Sequence, residues 1–349
     1  IRLKSRNTCQ TVRGAVAFVM AAAAAGIGSR RQKSDGDKYE GHRGSGESEQ
    51  VNKNCESFGR YTPEFFKMGT NLSGITWAHA VNSKMLLNKA LQDKEIMMLE
   101  ADVIIGTLSE DSTLFNGQLN GCISNKIDNK TKSNLPVMGH PPATTSDLSL
   151  EMMLLDMISH NKNYTMESPK GLKLDFKTIE AFEASLPILN EYYPKVEFPL
   201  WFNADILPGP GENNNKVPVD AHRFLDGAAN FPESKLSLGW TTRYGKDYPT
   251  EPSSPSTVYY KEQHITDMIS LLQSSVSNHN VTFPVRAGIA ANSSDLMILL
   301  LEKCISYTLT IWSAEKDYVD SEKLNKLLQR IGNKRFYLDV PKDVSEKLK

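Results

Sequence analysis

The feature of this sequence that most limits its possible folds is a unit that repeats eight times from residue 75 onward. Each unit is a short run typical of a β-strand, then a loop and, in most cases, an amphipathic helical pattern. Because parallel strands need crossover connections, alternating strands and helices predict a parallel sheet of the α/β class. Eight units over about 270 residues predict a single closed (β/α)8 barrel, a TIM barrel. The alternative is an open doubly wound sheet, but no predicted strand is followed by the G-x-G-x-x-G motif of dinucleotide-binding folds.

The individual elements follow from two-residue and 3.6-residue patterns of apolar side chains. The predicted strands are Ile75–Asn82, Met97–Ile105, Leu135–Pro142, Gly171–Thr178, Pro199–Leu207, Lys235–Thr242, Val281–Gly288 and Tyr307–Ala314. The predicted helices are Ser83–Gln92, Leu148–His160, Ile179–Tyr192, Ala221–Ala229, Glu262–Val276, Asp295–Ile305 and Ser321–Ile331. The polar segment Gly106–Asn134 leaves the end of a strand without a helical pattern, so we expect a flap over the barrel mouth. Phe336–Val340 is predicted as a short extra strand outside the barrel.

The sequence before the barrel divides into two parts. Basic residues precede an Ala-rich apolar run from Gly14 to Gly28, which is typical of a secretory signal peptide or a short anchor in residues 1–28. Residues 29–66 contain few apolar side chains and are predicted to form a disordered linker, which leaves 67–349 for the barrel. We therefore expect a secreted protein; the alternative is a signal-anchored protein that meets the membrane only through an uncleaved N-terminal segment.

Charge and cysteine content exclude some classes of protein. The net charge of −1 gives no sign of a nucleic-acid partner. Cys55, Cys122 and Cys304 lie beyond the signal-like run and form no C-x-x-C motif, so neither a zinc site nor a disulfide framework is indicated. Five N-x-S/T motifs are consistent with a secreted glycoprotein.

Polar side chains collect near the carboxyl ends of the predicted strands, where the active sites of (β/α)8 barrels lie. The strand at 171–178 is the clearest case, because alternation places its two lysines and its aspartate on one face. In chain order the candidate residues are His79, Glu100, Asp102, His140, Lys173, Asp175, Lys177, Asn203, Asp205, Trp240, Arg286 and Trp312. Taken alone, the strand at 171–178 is equally well explained as an edge strand with a solvated charged face.

The residue types suggest a reaction. Carboxylates from adjacent strands, Glu100, Asp102 and Asp175, suit a hard cation such as Mg²⁺ or Ca²⁺. Two histidines beside such a cation suit acid–base cleavage of a phosphodiester, with Lys177 stabilising charge on the phosphoryl oxygens. An alternative is Schiff-base chemistry at Lys173 or Lys177, as in barrel aldolases, which the neighbouring carboxylates and histidines disfavour.

These residues occur in blocks that resemble the menorin family. The blocks are ITWAHAVNS (75–83), LEADV (99–103), GHPP (139–142), KLDFK (173–177), WFNAD (201–205), LGWTT (238–242) and FPVRA (283–287). The resemblance implies a barrel of the phospholipase-C-like phosphodiesterase superfamily. By similarity to glycerophosphodiester phosphodiesterases and spider-venom phospholipase D enzymes, it also implies Mg²⁺ ligation by the three carboxylates and an acid–base pair of His79 and His140. Two departures are Ala80, where those enzymes have Arg, and Pro141, where they have Asp.

We therefore expect a metal-dependent phosphodiesterase-like barrel of the secretory pathway that acts on a small-molecule or lipid phosphodiester. The residues expected to bind substrate are Lys173, Asn203, Asp205, Trp240, Arg286 and Trp312. Trp240 and Trp312 are expected to project into the mouth. For Trp77 and Trp201, a place at the mouth and a packing role in the barrel centre are equally consistent with the sequence. The alternative function is a non-catalytic secreted or cell-surface protein that binds a protein partner through the same mouth.

Overall fold

The parallel strands expected from the repeat lie side by side in the computed structural model of the chain. The structure describes residues 62–109, 134–163, 168–245, 258–275 and 279–348. The signal-like run, most of the linker and most of the expected flap lie outside these ranges. Among the described residues, no helix is long and apolar enough to cross a membrane.

Eight strands form one parallel, nearly closed barrel. With two further strands that lie outside the barrel, the strands of the described residues are, in chain order, β1 Trp77–Ala78, β2 Met98–Leu108, β3 Leu135–Met138, β4 Thr145–Ser146, β5 Gly171–Phe176, β6 Leu200–Pro208, β7 Lys235–Thr241, β8 Val281–Arg286, β9 Thr308–Trp312 and β10 Phe336–Asp339. Their spatial order is β1-β2-β5-β6-β7-β8-β9-β10, and β3 and β4 pair only with β2 among the described strands. The predicted α/β class and barrel are therefore confirmed.

Helices connect the strands and cover the outside of the barrel. They are α1 Thr62–Phe65, α2 Lys84–Gln92, α3 Leu150–Asn163, α4 Ile179–Tyr192, α5 Ala221–Ala228, α6 Glu262–Ser274, α7 Ala287–Ala291, α8 Ser294–Glu302, α9 Ser321–Ile331 and α10 Lys342–Ser345. Several begin where a side-chain oxygen accepts a hydrogen bond from an otherwise unpaired backbone N–H. Ser83, Thr178, Asp220 and Asp320 cap α2, α4, α5 and α9 in this way. Short polar signals in the sequence thus fix where these helices start.

Two strands do not have the places that the sequence suggested. The segment predicted as the third barrel strand is β3, which runs antiparallel to β2 from Val103↔Met138 to Gly106↔Leu135. Its Pro136 has no N–H for a ladder, which disfavours a central position. The eighth place belongs to β10, which was predicted to lie outside the barrel but pairs in parallel with β9. Because β10 follows the amphipathic helix α9, it is one more helix-then-strand unit of the repeat.

The barrel is joined between β10 and β1 by side-chain and loop contacts. Near the strands' amino ends, the N–H of Leu72 donates to the carbonyl of Asn333 at 2.9 Å. Inside the barrel, the rings of Trp77 and Tyr337 meet edge to face, 6.4 Å apart. These contacts hold β1 and β10 beside each other. The carboxyl ends of the two strands therefore also lie close together.

An aromatic layer fills the barrel floor, as the plug interpretation of two tryptophans predicts. Trp201 is fully buried between Trp77 and Tyr337, with ring centroids 5.3 and 4.8 Å away. Its indole N–H donates to Thr62 in α1 at 3.0 Å, so residues assigned to the linker contribute to the floor. Lys235 lies in the same layer, with Nζ 4.9 Å from the Trp201 ring and 3.0 Å from the Tyr337 hydroxyl.

Candidate active site at the barrel mouth

Three carboxylates converge at the carboxyl ends of two adjacent strands. Glu100 and Asp102 lie on β2, and Asp175 lies on β5 directly opposite Asp102. One oxygen from each residue lies within 4.8 Å of the others. Glu100 and Asp102 are buried, and Asp175 is partly buried. An all-oxygen donor set of this kind fits a hard divalent cation.

Lys177 supplies positive charge to this cluster. Its ammonium is 2.5 Å from Asp102 Oδ1 and also forms an ion pair with Asp175. Burial disfavours the charged amine, but Asp175 and Asp102 outweigh burial and raise the pKa of Lys177 above its usual value. Burial likewise disfavours the charged form of Asp175, yet Lys177 and Lys173 lower its pKa. The cluster thus holds a cationic group among its carboxylates, and a metal ion at this site would compete with the Lys177 ammonium for Asp102 and Asp175.

Amide side chains orient two of the carboxylates. Asn82 donates to Asp102 Oδ2 at 2.6 Å, and its own oxygen accepts from the Asp102 N–H at 2.9 Å. Asn203 donates to Asp175 Oδ1 at 2.6 Å, and Ser237 donates to the Asn203 oxygen at 2.6 Å. Each aspartate is therefore held by a neighbour whose own polar atoms are satisfied, which fixes its orientation.

Ala80 holds the third carboxylate through its backbone. Its N–H donates to Glu100 Oε2 at 2.8 Å. Its φ of 54° lies in the left-handed region, which is unfavourable for a residue with a Cβ. Such strain is concentrated at functional sites. At this position the chain therefore supplies a backbone donor to Glu100.

His79 lies beside the cluster and is half exposed. Its Nδ1 is 3.0 Å from Asp339 Oδ2 and 3.6 Å from Glu100 Oε2. The Glu100 charge, reinforced by the hydrogen bond to Asp339, outweighs partial burial and raises the pKa of His79 to about 9. Nδ1 is thus the ring nitrogen that faces these carboxylates.

His140 lies next to the cluster but is not joined to His79 by any contact within the described part of the chain. The N–H of Gly139 donates to the Asp102 carbonyl at 2.9 Å, which places His140 beside the end of β2. The ring is exposed, and its Nδ1 lies 2.7 Å from the Pro141 carbonyl. The peptide between Pro141 and Pro142 is cis.

Arg286 reaches the mouth already paired. Its Nε and one terminal nitrogen donate to the two oxygens of Asp317 at 2.7 and 2.8 Å. The guanidinium lies 5.3 Å from the Tyr244 ring and 5.2 Å from the Trp312 ring. Because its charge is neutralised by a buried carboxylate, Arg286 is a weaker phosphate ligand than the sequence suggested. The half-buried Trp312 does lie at the mouth, as predicted.

Trp240 does not point into the mouth, and that prediction is wrong. Its indole N–H donates to the His264 carbonyl of α6 at 3.1 Å, and its ring packs against Tyr260 and Phe283. Alternation along β7 places Trp240 on the outer face with Leu236 and Leu238. The inner face carries Ser237, which reaches Asn203.

The remaining candidates line the interior and the rim. Lys173 is buried two residues before Asp175, with its Nζ 5.8 Å from the Trp77 ring. The side chain of Asp205 is open at the rim, yet the surrounding protein and the charge of Asp175 raise its pKa to about 7. A Cβ on Gly239 would lie 2.4 Å from Asp205 Oδ1, so this close approach requires glycine.

The residues that hold the site in place were not among the candidates predicted from the sequence. Asp339 was overlooked because β10 was predicted outside the barrel. Asn82 and Ser237 were overlooked because amide and hydroxyl side chains in strands are common and carry little signal. Reading Phe336–Val340 as the eighth barrel strand is the one change that brings Asp339 to the mouth.

Comparison with known proteins identifies the family. The model of the Menorin N-terminal domain matches residues 71–115 and 121–345. The chain belongs to the menorin family. Human protein FAM151B is 33% identical over 267 residues, which cover 76% of this chain and 82% of that protein. The family match includes β1 and β10, and hence both His79 and Asp339 of this menorin chain.

A solved structure was also matched, but the likeness is too small to support an argument. It is the X-ray crystal structure of the Paramecium bursaria Chlorella virus arginine decarboxylase bound to agmatine, with a TM-score of 0.28 and 11% sequence identity. The match covers 81% of this chain and 63% of that one. The menorin assignment therefore rests on the sequence match alone.

Proposed function

We propose that this menorin chain is a metal-dependent phosphodiesterase whose active site is the barrel mouth. The observation that carries the proposal is the convergence of Glu100, Asp102 and Asp175 within 4.8 Å of one another beside His79. Repulsion among buried carboxylates is unfavourable in a protein interior, and the single ammonium of Lys177 offsets only part of their charge. A histidine oriented by a separate carboxylate adds a group suited to proton transfer.

The three carboxylates would hold Mg²⁺ or Ca²⁺, which stabilises negative charge on phosphoryl oxygens when bound. The protein's own groups then move the protons. One imidazole takes a proton from the attacking hydroxyl or water, and the other donates a proton to the oxygen that leaves phosphorus. His79 and His140 are the two candidates, with Asp339 fixing the His79 ring. Lys177 balances the negative charge of the carboxylates.

The rim favours a substrate that is partly apolar or carries a quaternary ammonium. Trp312 offers an indole at the mouth, and indole faces bind quaternary ammonium groups with about 0.5–2 kcal/mol. Lys177 and Arg286 both form ion pairs with carboxylates, so few cationic groups face a polyanion. A lipid or choline phosphodiester therefore suits the mouth better than a nucleotide.

The same proposal includes entry into the secretory pathway. The basic and apolar segment before Gly28 has the pattern of a signal peptide. In the barrel, Cys304 is disulfide-bonded, and structural disulfides persist mainly in oxidising compartments. Expression of the full chain in a secreting cell, with cysteine alkylation before and after reduction, tests this part directly.

Activity is tested with a panel of lysophospholipid, glycerophosphocholine and nucleotide diesters in the presence of Mg²⁺. We expect lipid or choline diesters to be cleaved, EDTA to stop the reaction, and both His79→Ala and Asp175→Asn to abolish it. Asp343→Asn, at an exposed position on α10, is the matched control. Unchanged turnover in EDTA would refute metal dependence, and borohydride trapping of a product would instead support Schiff-base chemistry at a lysine.

A recognition role is the second candidate, and a specific observation favours it. His140 is exposed, its Nδ1 lies 2.7 Å from the Pro141 carbonyl, and among the described residues no carboxylate orients its ring as Asp339 orients that of His79. A binding protein would retain the barrel and the mouth without turnover. Binding of a phosphodiester by purified protein, with no cleavage of any member of the panel, would favour this role.

A further inference from the structure

A second cavity lies at the end of the barrel opposite the mouth, beside α1, α3 and the segment before β2. Its volume is about 390 Å³, within the range of about 300–1,000 Å³ typical of small-molecule sites. Its apolar lining includes Phe65, Ile96, Met97, Ile158 and Phe198. The site is therefore large enough and apolar enough to enclose part of a hydrocarbon chain.

The rim of this cavity is strongly basic. Lys67, Lys94, Lys162 and Lys195 line it, against a single acidic residue, Glu197. All four lysine side chains are exposed where they line the cavity, and the ammonium of Lys195 also lies 4.6 Å from the Tyr192 ring. This arrangement contrasts with the barrel mouth, where carboxylates dominate.

The wall also contains a polar atom without a protein partner. The Ser168 side chain is only 8% exposed, and its hydroxyl has no hydrogen-bond partner among the described residues. Its backbone carbonyl is already used, because it accepts a hydrogen bond from the His160 ring at 2.9 Å. Buried hydroxyls are seldom unpaired in proteins, so a polar ligand atom or water is expected at this wall.

The wall is held rigidly by its own hydrogen bonds. The buried Lys170 ammonium donates to the carbonyls of Asp93 and Ile96, at 2.5 Å each. Asn161 donates to the Met157 and Lys170 carbonyls at 3.0 Å each. These bonds link α3 to the segment before β2. The cavity is thus formed without a ligand, which reduces the entropic cost of binding.

We propose that this cavity binds a single-chain anionic amphiphile, with the hydrocarbon chain against the apolar walls and the anionic head at the lysines. Burial of apolar surface supplies non-specific attraction. The four lysines supply selectivity for a carboxylate, sulfate or phosphate head over a cationic or neutral one. The site is distinct from the barrel mouth, and the proposal holds whether or not the mouth is catalytic.

The test is calorimetric titration of the full chain with dodecanoate below its critical micelle concentration. Dodecyltrimethylammonium and dodecyl maltoside serve as probes with the same chain and a cationic or neutral head. We expect dodecanoate to bind at one site at least about tenfold more tightly than either, with an affinity that falls as salt is added. Lys94→Glu combined with Lys162→Glu should weaken dodecanoate binding by at least about tenfold.

Lys89→Glu combined with Lys347→Glu is the matched control, because it makes the same charge change at exposed lysines outside the cavity lining. This control should bind dodecanoate like the wild type, and circular dichroism should show that both double variants are folded. Three results would overturn the proposal: no binding of dodecanoate, equal binding of all three probes, or equal loss in both double variants. Binding of an acidic peptide without dodecanoate would also overturn it and would assign the cavity to a protein partner.

Discussion

Nδ1 of His79 lies 3.0 Å from Oδ2 of Asp339, although the two residues are 260 positions apart in the chain. The contact joins the residue that follows β1 to the last residue of β10. It therefore both completes the barrel and orients the candidate proton-transfer group. Asp339 therefore has two candidate roles, a structural brace and a carboxylate that positions His79. A single substitution of Asp339 can distinguish the two roles.

Asp339→Asn should lower the pKa of His79 from about 9 toward its usual value of 6.5, because the carboxylate that stabilises the imidazolium is lost. The raised folded-state pKa means that the pair's contribution to stability is complete below the unfolded value and is lost as pH rises through about 9. NMR titration of the His79 ring measures the shift. We also expect phosphodiesterase activity to fall roughly 10–100-fold. An unchanged His79 pKa would show that Asp339 is only a brace.

Magnesium should raise the melting temperature of the wild type but not of Asp175→Asn. Ligands that bind only the folded state stabilise it by about 2.7 kcal/mol at a concentration one hundred times Kd. Asp343→Asn, at an exposed aspartate outside the carboxylate cluster, should respond like the wild type. Differential scanning calorimetry with and without Mg²⁺ makes the measurement. An equal shift in Asp175→Asn would locate the cation elsewhere.

Lys235→Met should stabilise the protein near neutral pH. Burial in the aromatic floor lowers the pKa of Lys235 to about 7, so the unfolded chain binds its proton more tightly than the folded one. The contribution of Lys235 to the free energy of unfolding of the wild type should therefore rise between about pH 7 and pH 10.5, by an amount on the order of a few kcal/mol. The variant should lack this rise. Urea unfolding at several pH values checks both expectations, and parallel curves for the two proteins would contradict them.

The tryptophans at 240 and 312 provide a matched pair of identical substitutions. Trp240→Ala removes a buried core ring and should destabilise the protein by about 3–5 kcal/mol. Trp312→Ala removes a half-buried ring at the mouth and should mainly reduce turnover or binding of lipid diesters. Thermal melts and the substrate panel should separate the two effects. Intact lipid turnover in Trp312→Ala would remove the aromatic rim from the proposed site.

The ion pair of Arg286 and Asp317 should behave as a structural unit. Removing one partner of a buried pair leaves an uncompensated charge and typically costs about 3–5 kcal/mol. We expect a loss of this size in Arg286→Gln and in Asp317→Asn, and less than the sum in the double variant. Chemical unfolding of all four proteins completes the cycle. Additive losses would show that the two side chains are not coupled.

The sequence predicted those parts of the fold and site that depend on local pattern. Alternation placed Glu100, Asp102 and Asp175 on inner strand faces, but the predicted order put another strand between theirs, and the pairing of β2 with β5 is what brings them together. Alternation does not show which strand pairs with which, so it could not predict that β3 pairs with β2 outside the barrel. The segment that contains β3 also had the length expected of a barrel strand. Trp240 was assigned to the wrong face although β7 begins at the predicted residue, because Trp240 is in phase with Leu236 and Leu238 and not with the inward-facing Ser237. Asp339 depends on closure of the barrel, which only the tertiary structure reveals.

The place of β10 also has a consequence for biosynthesis. β1 lacks its second neighbour until β10, which follows every other strand of the barrel in the chain, has been synthesised. Until β10 is in place, His79 lacks the Asp339 carboxylate that orients it, in whatever order the other strands fold. A nascent or prematurely terminated chain that ends before Phe336 would therefore carry an open ring and an incomplete site. Such a chain should neither refold on its own nor gain activity from the cation.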